Sequence, residues 1–563
     1  MSLSTALGSA TSSLRAIQVR LALASSNIAN ADNSSYTTKR AKLAPSVTGG
    51  VGTGVEVTGV GSGVNANLLR DIVNSTSENA AAQAFYNFMK ALSDTLGHVN
   101  SDGSGSSIAS RLSKFQSRLD SLATTPESAT LKGEVITSLD DAVTSMRNAS
   151  EEVQHQRAQA DAAIAKAVGA ANDALRDIHT LNESILRAGA TSQPTADLED
   201  LRSAALKSLG EQIKINGYIS ANGAMTVYSG SGEILVGTEV HELTFTAAAK
   251  VSESAAYPTD LSGVRVNGHD ITGSLASGKI SALLTLRDVA LPGIQSRLDA
   301  AAGKLKDSIN TLSNGGSAAP PPNTLTGTSS HNTADALSAS GSLRVAVTDA
   351  QGAVTETQDL PLSSYSTVGD LIGALNGIPG LSASLDGDGH LSLRATITSN
   401  GVAVAGGSVN GKSLSGYFGL NDLVVGSGAG DLAVKVDVLA DSTRLPTGLI
   451  PTSGTLSTGK TAISTGSSKL ATAMADDLRA SGVIAMVSDL IGDIGARTNS
   501  AKSRAATAET SLNALTSRFS SQYGVNVNEE NARILQLQNA YAASSQVLSA
   551  VKSMFDDLMK AVR

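Results

Sequence analysis

The strongest constraint on the fold of this chain is an apolar repeat that occurs at both of its ends. The spacing alternates between three and four residues, which is typical of a helix that packs lengthwise against another helix. At one end the repeat consists of Leu3, Leu7, Ala10, Leu14, Ile17, Leu21, Ala24 and Ile28. At the other end it consists of Ile534, Leu537, Tyr541, Ser544, Leu548, Val551, Phe555, Leu558 and Val562. Both ends are therefore predicted to be amphipathic helices.

Each terminal helix needs a partner for its apolar stripe, and the sequence leaves two partners open. The two helices can form a local antiparallel hairpin with each other. Alternatively, helices from other copies of the chain can complete both stripes. The second helix is predicted to begin near Asn528, which would be its N-cap, followed by Glu529 and Glu530 in the first turn.

The region between the two ends is predicted to be mainly helical. Helical spacing continues through residues 64–99 and 108–122, on either side of a Gly/Ser break. Thr125 and Pro126 then provide a helix start, and an apolar repeat follows. An unbroken helix over residues 126–188 would be about 95 Å long at about 1.5 Å per residue. A compact globule of this chain would be only about 60 Å across, so we expect an elongated rod.

Two regions change to short alternating segments that predict strands. Residues 213–275 contain a hairpin with Gly/Ser turns, and residues 341–440 contain short strands, Gly/Asp turns and one short helix at TVGDLIGALN. A helix bent near Pro292 comes between them, the Pro-rich segment 314–330 is predicted to be a linker, and helix resumes near Lys469.

These patterns predict a mainly α protein with β-rich parts: an elongated rod of long helices with coiled-coil-like terminal helices and an inserted β-rich domain. We expect three domains. Residues 1–45 with 515–563 would form a terminal helical assembly domain. Residues 60–310 with 460–514 would form the long-helix rod, including the small β part at 213–275. Residues 325–450 would form the inserted outer domain.

The composition argues against a nucleic-acid or small-molecule site. The chain has 42 Lys+Arg against 50 Asp+Glu, and no basic stripe with interleaved aromatic residues is present. Aromatic residues make up 3% and tryptophan is absent, whereas ligand pockets are usually lined by bulky apolar groups. The absence of cysteine suits a protein that stays unfolded during export. Because the charge balance is mildly acidic, we expect no nucleic-acid partner. Neither a membrane-spanning run nor a Sec-type signal is seen, so we expect no membrane partner.

Four segments partly match catalytic or metal-binding motifs. Residues 406–413 and 454–461 fit the pattern G-x-x-x-x-G-K-[ST], but neither has the flanking strand and helix that a phosphate-binding loop needs. HELTF at 241–245 has Phe where a zinc protease needs its second histidine. DGDGH at 386–390 begins like a calcium loop but lacks the later ligands. We therefore expect no catalytic residue, no metal and no cofactor, and no enzymatic activity.

The segment after the N-terminal helix resembles the signature of the bacterial flagellar axial proteins, which is roughly A-N-x-x-T-x-G-Y-x-R. Residues 29–36 read ANADNSSY, in which Asn and Ser replace the Thr and Gly of the pattern. The position of the arginine holds Thr38, so its basic role falls to either Lys39 or Arg40.

Further segments are similar to the hook-associated branch of this family. They are IHTLNESI at 178–185, PTADLEDLR at 194–202, GKISALLTLRD at 278–288, LPGIQSRLD at 291–299, YFGLND at 417–422, and the tail at 525–559. Together they cover both ends and the helical body, but little of the predicted β insert.

The resemblance implies a secreted structural protein of the flagellum, exported by the flagellar type III apparatus and located at the hook–filament junction. It implies that the terminal helices form an inner tube and that the turn after Ile28 contacts adjacent subunits. The expected assembly interface consists of Leu3, Leu7, Leu14, Ile17, Leu21, Ile28, Asn30, Tyr36, Leu537, Tyr541, Leu548, Val551, Phe555 and Leu558.

The partners that the resemblance implies are further copies of the chain in a ring, hook protein, hook-associated protein 3, an export chaperone and the export apparatus. Two alternatives stay open. One is another axial protein, such as hook-associated protein 3 itself or a divergent hook protein. The other is an enzyme secreted by way of the flagellum, which would need a catalytic cluster within residues 320–450.

Overall fold

The computed structural model of the chain describes residues 3–48, 50–97, 107–463 and 467–561. Residues 98–106, which hold most of the predicted Gly/Ser break, and Val562 of the C-terminal repeat lie outside the described part. The α-helices of the described part are α1 (Leu3–Ala29), α2 (Ala66–Leu96), α3 (Ile108–Thr124), α4 (Ala129–Ala190), α5 (Ala196–Gln212), α6 (Lys279–Thr285), α7 (Leu291–Ser313), α8 (Val368–Asn376), α9 (Leu414–Phe418), α10 (Val436–Ala440), α11 (Lys469–Ala480), α12 (Val483–Tyr523) and α13 (Val527–Ala561).

The strands form small antiparallel sheets. They are β1 (Arg40–Thr48), β2 (Val51–Gly61), β3 (Ile215–Ile219), β4 (Met225–Ser229), β5 (Ile234–Val236), β6 (Leu243–Thr244), β7 (Arg265–Val266), β8 (His269–Asp270), β9 (Thr324–Ser330), β10 (Ala339–Thr348), β11 (Val354–Pro361), β12 (Leu381–Leu385), β13 (His390–Ala395), β14 (Gly401–Val409), β15 (Lys412–Ser413), β16 (Val424–Val425) and β17 (Ala433–Val434). The sheet orders are β1-β2, β3-β4-β5, β6-β7-β8, β11-β10-β14-β15, β12-β13-β9 and β16-β17.

The chain divides into two compact units, each built from separate stretches of sequence. The first unit contains residues 1–88, 157–289 and 499–563. The second contains residues 89–156 and 290–498. The division into three domains that the sequence suggests follows other boundaries and stays a prediction.

The long helices lie where the apolar repeats predict them. Helix α4 runs unbroken from Ala129 to Ala190 and buries one apolar side along its length, including Leu139, Met146 and Ile164. Its predicted start was wrong by three residues. Thr125 instead ends α3, where its N–H donates to the carbonyl of Leu122, and the Ser128 hydroxyl accepts from the N–H of Leu131 as the N-cap of α4.

One other predicted boundary also differs. The N-cap of α13 is Asn526 and not Asn528, because the Asn526 side-chain oxygen accepts from the N–H groups of residues 528 and 529. Next to Pro292, where a bend is predicted, a π-helical segment, Leu286–Ala290, lies between α6 and α7, and the bend itself stays a prediction. Insertions of this kind are a recognised cause of helix bends, and Pro292 adds the loss of one backbone donor.

The first unit has a buried charge network beside this segment. Arg287 is fully buried and donates to the carboxylates of Asp161 (2.6 Å) and Asp288 (2.7 Å). Arg157, also buried, donates to the main-chain carbonyls of Ser252 and Ala255. The two guanidinium groups thereby hold the irregular segment around residues 244–264 against α4, because a buried cation must be paired or hydrogen-bonded.

The second unit contains the β-rich part that the alternating pattern predicts. Its hydrophobic core is formed by side chains from β9 to β14 together with α8 and α9, among them Leu343, Leu371, Leu393 and Phe418. Helix α8 begins with a capping box between Thr367 and Asp370, which explains why so short a helix forms there.

The predicted linker at 314–330 was wrong in its second half. Residues 324–330 form β9, which pairs with β13 from Thr324 to Ser330. The segment TLTGTSS consists mostly of threonine and serine and has few large apolar residues. Its sequence therefore resembles a polar loop more than a strand. Among the described residues, no helix is long and apolar enough to cross a membrane.

Candidate assembly interface

The two terminal helices lie side by side and antiparallel within the first unit. The hydroxyl groups of Ser13 in α1 and Ser544 in α13 are 3.3 Å apart. Arg20, further along α1, lines the same cavity as Glu530 at the start of α13. As the chain advances along α1 it therefore runs backward along α13, and the local hairpin that the sequence left open is present in the structure.

This pairing covers only part of the apolar stripes. The expected interface residues Ile17, Leu537 and Val551 are buried, at 5%, 2% and 6% exposure. Most of the others are half-buried, namely Leu3, Leu7, Leu14, Leu21, Ile28, Asn30, Tyr36, Leu548 and Phe555. Tyr541 and Leu558 remain 38% and 55% exposed.

Part of the apolar surface of α13 is left uncovered by α1, and the sequence reasoning did not separate these residues from the buried ones. Val547, Met554 and Leu558 are spaced by seven and four residues and so share one side of the helix. They are 51%, 56% and 55% exposed, and Met559 beside them is 63% exposed. The terminal pair thus presents uncovered apolar surface after its own two helices have packed.

The polar turn after α1 is folded back by Asn27. The Asn27 side-chain oxygen accepts from the main-chain N–H of Lys39 and from the hydroxyl of Tyr36, both at 2.9 Å. Its amide donates to the Lys39 carbonyl at 3.1 Å. Asn27 is fully buried, so it holds residues 36–39 against the end of the helix. Burial raises the pKa of Tyr36, and the carboxylates of Asp197, Asp200 and Glu530 raise it further.

Lys39 is the basic residue at the centre of the turn. Its side chain is buried and forms an ion pair with Asp200 of α5, while Arg40 is exposed. The Lys39 ammonium also donates to the carbonyl of Ala196 at 3.0 Å and lies 4.7 Å from the centre of the Tyr36 ring. Of the two basic residues between which the sequence left the choice open, Lys39 is the buried one.

Asp200 also holds the turn by accepting hydrogen bonds from Thr37. It accepts from the N–H of Thr37 at 2.8 Å and from the hydroxyl of Thr37 at 2.7 Å. Asp200 belongs to the DLEDLR segment, so two motifs noted separately in the sequence form one cluster. Sequence reasoning missed this pairing, because neither segment carries a local signal that names its partner.

The same turn also contacts the start of the C-terminal helix. Thr38 donates through its main-chain N–H to the carbonyl of Tyr523 and through its hydroxyl to the carbonyl of Gly524, both at 2.7 Å. These carbonyls lie at the end of α12, where helix geometry leaves them without an intrahelical donor. Residues 37–39 thus join α1, α5 and the α12–α13 junction.

A β-hairpin that the sequence did not predict follows the turn and packs on α1. β1 and β2 pair from Arg40 with Gly61 to Thr48 with Val51. A side chain at Gly54 would collide with Ser12, whose hydroxyl accepts from the N–H of Val55 at 3.2 Å. Leu43, Val47 and Val51 are 43%, 59% and 54% exposed, so the hairpin adds apolar surface to the terminal region.

The phosphate-loop matches form turns rather than nucleotide cradles. Lys412 is exposed on β15, and the helix after it, α9, has only five residues. Lys412 lines a cavity of about 560 Å³, together with Lys306, Asp307 and Asp422. Lys460 lies in an irregular segment, where its main-chain carbonyl accepts from Val354.

The DGDGH segment is a hairpin turn between β12 and β13. One oxygen of Asp386 accepts from the N–H groups of Asp388 and His390 at 3.0 and 2.8 Å. The side chains of the three residues are close enough for their ligand atoms to meet at one metal ion, but both aspartates are exposed. His241 is half-buried, and Glu242 pairs with Arg176.

Comparison with known proteins gives matches over the helical body and the C-terminal end. The model of the flagellar hook-associated protein FlgK helical domain matches residues 93–324. The model of the flagellar basal body rod FlgEFG protein C-terminal region matches residues 516–561, which include α13.

Full-length relatives share a modest fraction of residues with the chain. Flagellar hook-associated protein 1 of Escherichia coli strain K12 is 21% identical, in an alignment that covers 99% of this chain and 100% of that protein. The protein of the same name from Salmonella typhimurium strain LT2 is 23% identical, with the same coverage. Among solved structures, the flagellar hook junction protein FlgK from Burkholderia pseudomallei aligns with a TM-score of 0.47 and 15% identity, over 80% of this chain and 99% of that chain.

The matched models and the full-length relatives agree with the resemblance that both ends and the helical segments show in the sequence. The helical-domain match separates the hook-associated proteins from axial proteins that share only the C-terminal region. On these findings, the chain is similar to flagellar hook-associated protein 1 over its full length, with its helical body and its C-terminal region matching models of flagellar axial proteins.

Proposed function

We propose that this chain is a structural subunit of the bacterial flagellum that forms the junction between hook and filament by self-assembly through its terminal helices. The observation that carries the proposal is the uncovered apolar side of α13, on Val547, Met554 and Leu558, in a chain related over its whole length to hook-associated protein 1. Contiguous exposed apolar surface in a folded protein marks an interaction site.

The energetics favour completion of these stripes by other subunits. Burying one large aliphatic side chain stabilises an association by about 1.5–3 kcal/mol. The half-buried and exposed residues of the terminal pair are spread along most of α13, so one more helix on each side would bury a continuous stripe. The antiparallel pair is then the building block of the tube, and copies of the chain are its first partners.

We propose further partners and the location from the similarity to flagellar hook-associated protein 1. Hook protein would contact the subunit on one side and hook-associated protein 3 on the other, with the subunits arranged in a ring. The chain would reach this position unfolded through the flagellar export apparatus, accompanied by an export chaperone. We propose no enzymatic activity, because Lys412 lies on the two-residue strand β15 before a five-residue helix and Lys460 lies in an irregular segment.

One alternative function shares part of the support. The C-terminal region match names basal body rod proteins, so another axial protein would satisfy it equally. The helical-domain match over residues 93–324 favours the hook-associated assignment.

The location is tested by labelling this protein on isolated flagella. The expected result is a single narrow band between the hook and the filament in electron micrographs. Cells that lack the chain should export filament subunits into the medium without retaining them. Label along the rod, hook or filament would contradict the proposal and favour the alternative.

We also propose that the β-rich insert is dispensable for assembly. Ser317 and Gly448 exchange two main-chain hydrogen bonds, of 2.9 and 3.0 Å, so the two ends of the insert lie next to each other. Replacing residues 319–447 with a short Gly/Ser linker should leave junction formation intact, because no terminal residue is removed. A soluble, folded deletion variant that fails to join the hook would show that the insert takes part.

A further inference from the structure

A notch between α1, β1 and α13 contains charged side chains that the pairing of the two helices leaves without partners. It has a volume of about 180 Å³ and is lined by Arg20, Leu23, Ala24, Lys39, Arg40, Ala41, Leu43, Glu530 and Arg533. Lys39 and Arg533 have carboxylate partners in Asp200 and Glu530. The side chains of Arg20 and Arg40 have no hydrogen-bond or ion-pair partner among the residues that the structure describes.

The wall of the notch also contains a buried acceptor that is only half used. The Glu530 side chain is 4% exposed, and one of its oxygens accepts from Arg533 at 3.1 Å. The other oxygen has no donor within the described chain. A buried carboxylate oxygen without a donor costs free energy, so the notch is built to receive a polar group from outside.

The far end of α13 carries the complementary groups. Asp556 and Asp557 are exposed there, Leu558 and Met559 beside them are 55% and 63% exposed, and Lys560 is exposed one turn beyond Asp556. Asp557 and Lys560 pair with each other at 3.6 Å in the single chain, but their side chains are 77% and 78% exposed, so this pair contributes little and can exchange partners. This end can therefore offer two carboxylates for the free arginines, apolar side chains for Leu23 and Leu43, and an ammonium group for Glu530.

The two complementary surfaces cannot meet within one molecule. Glu530 and Asp557 lie on the same helix, about 40 Å apart at about 1.5 Å per residue. Because the helices are antiparallel, the notch lies at one end of the terminal pair and the acidic end lies at the other. Complementary surfaces at opposite ends of a subunit generate head-to-tail contacts, which produce rings or open helical arrays.

We propose that the notch receives the acidic end of α13 from a second copy of this chain, with Arg20 and Arg40 facing Asp556 and Asp557. The inference rests on the proposed function and goes further, because it names the contact that orients successive subunits. Apolar stripes alone are compatible with several registers, whereas matched charges fix one.

The absence of cysteine from the chain allows a direct cross-linking test. Leu43→Cys in the notch and Met559→Cys at the acidic end would be combined in one chain, expressed as the only copy. Isolated hook–filament fractions would then be oxidised. A disulfide needs Cα atoms within about 7 Å, so a link within one molecule is excluded. The expected result is a ladder of disulfide-linked multimers. The control, Leu43→Cys with Arg504→Cys on the exposed side of α12, should stay monomeric.

Charge reversal provides a second, independent measurement. Arg20→Glu with Arg40→Glu should reduce incorporation into the hook–filament fraction by about tenfold, since like charges would then face each other. Asp556→Arg with Asp557→Arg should do the same, and the combined four-residue variant should recover incorporation. Lys502→Glu with Arg504→Glu is the matched control and should have no effect.

The outcomes separate this inference from the proposed function. If the unmodified chain is present in the fraction but no ladder forms and the four-residue variant is not rescued, the contact is wrong and the junction role stands. If a disulfide forms instead with a cysteine of a different axial protein, the notch serves another partner and the inference fails. If the unmodified chain is absent from the fraction, the proposed function fails and the inference fails with it.

Discussion

The terminal helical pair and the β-rich insert solve the problem of burying apolar residues in opposite ways. In the insert, Leu343, Leu371, Leu393 and Phe418 are completely buried in a core closed by two sheets and two short helices. In the terminal pair, long helices bury Ile17, Leu537 and Val551 but leave Leu558 and its neighbours uncovered. The insert has a complete core of its own, and the terminal pair has one side of an interface.

Since its apolar stripes are only partly covered, the terminal region of the single chain must obtain much of its stability from other contacts. An isolated helix pair with an incomplete stripe gains little from packing. The terminal region instead has a polar anchor, in which Asn27, Lys39 and Asp200 tie the turn after α1 to α5 and to the α12–α13 junction. This arrangement fixes the direction of the terminal helices and keeps their apolar sides available.

The largest expected effect therefore comes from the anchor. Asp200→Ala should lower the free energy of unfolding by about 3–5 kcal/mol, because it leaves the Lys39 ammonium buried without its partner. Chemical denaturation of the purified chain measures this value. Limited proteolysis should also show faster cleavage between residues 30 and 60.

The matched control for this change is Asp197→Ala. Its carboxylate is also near Lys39, at 3.7 Å, but the side chain is 79% exposed. Exposed ion pairs contribute about 0–1 kcal/mol, so the control should leave stability nearly unchanged. Equal effects of the two substitutions would contradict a buried anchor.

The next effect belongs to the closed core of the insert. Leu393→Ala should lower the free energy of unfolding of the second unit by about 2–5 kcal/mol, since Leu393 is completely buried and a cavity would remain. Ile397→Ala, a few residues further on at a 58% exposed position, should cost less than about 0.5 kcal/mol. Incorporation into flagella should be similar for both variants at temperatures where the insert is folded. If Leu393→Ala costs no more than Ile397→Ala, the insert is not a closed core.

Helices and their capping residues can be predicted from the sequence, whereas contacts between distant segments cannot. Helix α4 is predictable because its apolar repeat is regular over many turns, and α8 because Thr367 and Asp370 are a capping box in sequence. The start of α4 was misplaced because Thr125 and Ser128 are both good N-caps, and the end of α3 decides between them.

The polar anchor and the hairpin β1–β2 show why the rest could not be predicted. Lys39 and Asp200 are 161 residues apart and belong to segments without periodicity, so only the tertiary fold brings them together. In the hairpin, Gly52, Gly54 and Gly59 interrupt the alternation that identifies strands. Gly54 is required by the approach of α1, which is a tertiary constraint and leaves no periodic signal.

The smallest effect on the single chain is expected at the uncovered stripe, and it gives the sharpest test of the comparison. Leu548 is half-buried and Leu558 is 55% exposed, so truncating both removes little packing within the monomer. Leu548→Ala with Leu558→Ala should therefore lower the free energy of unfolding by less than about 1 kcal/mol.

The same pair of changes should strongly reduce assembly, because both leucines become buried only when a neighbouring helix covers them. Cells that carry the double variant should release filament subunits into the medium, whereas Gln538→Ala with Gln546→Ala, at exposed polar positions of α13, should retain them. Sedimentation of the hook–filament fraction measures incorporation, and thermal unfolding of the purified chain measures stability. If the leucine variant instead unfolds several kcal/mol more easily and assembles normally, the stripe is closed within the chain, and the terminal pair is a core like that of the insert.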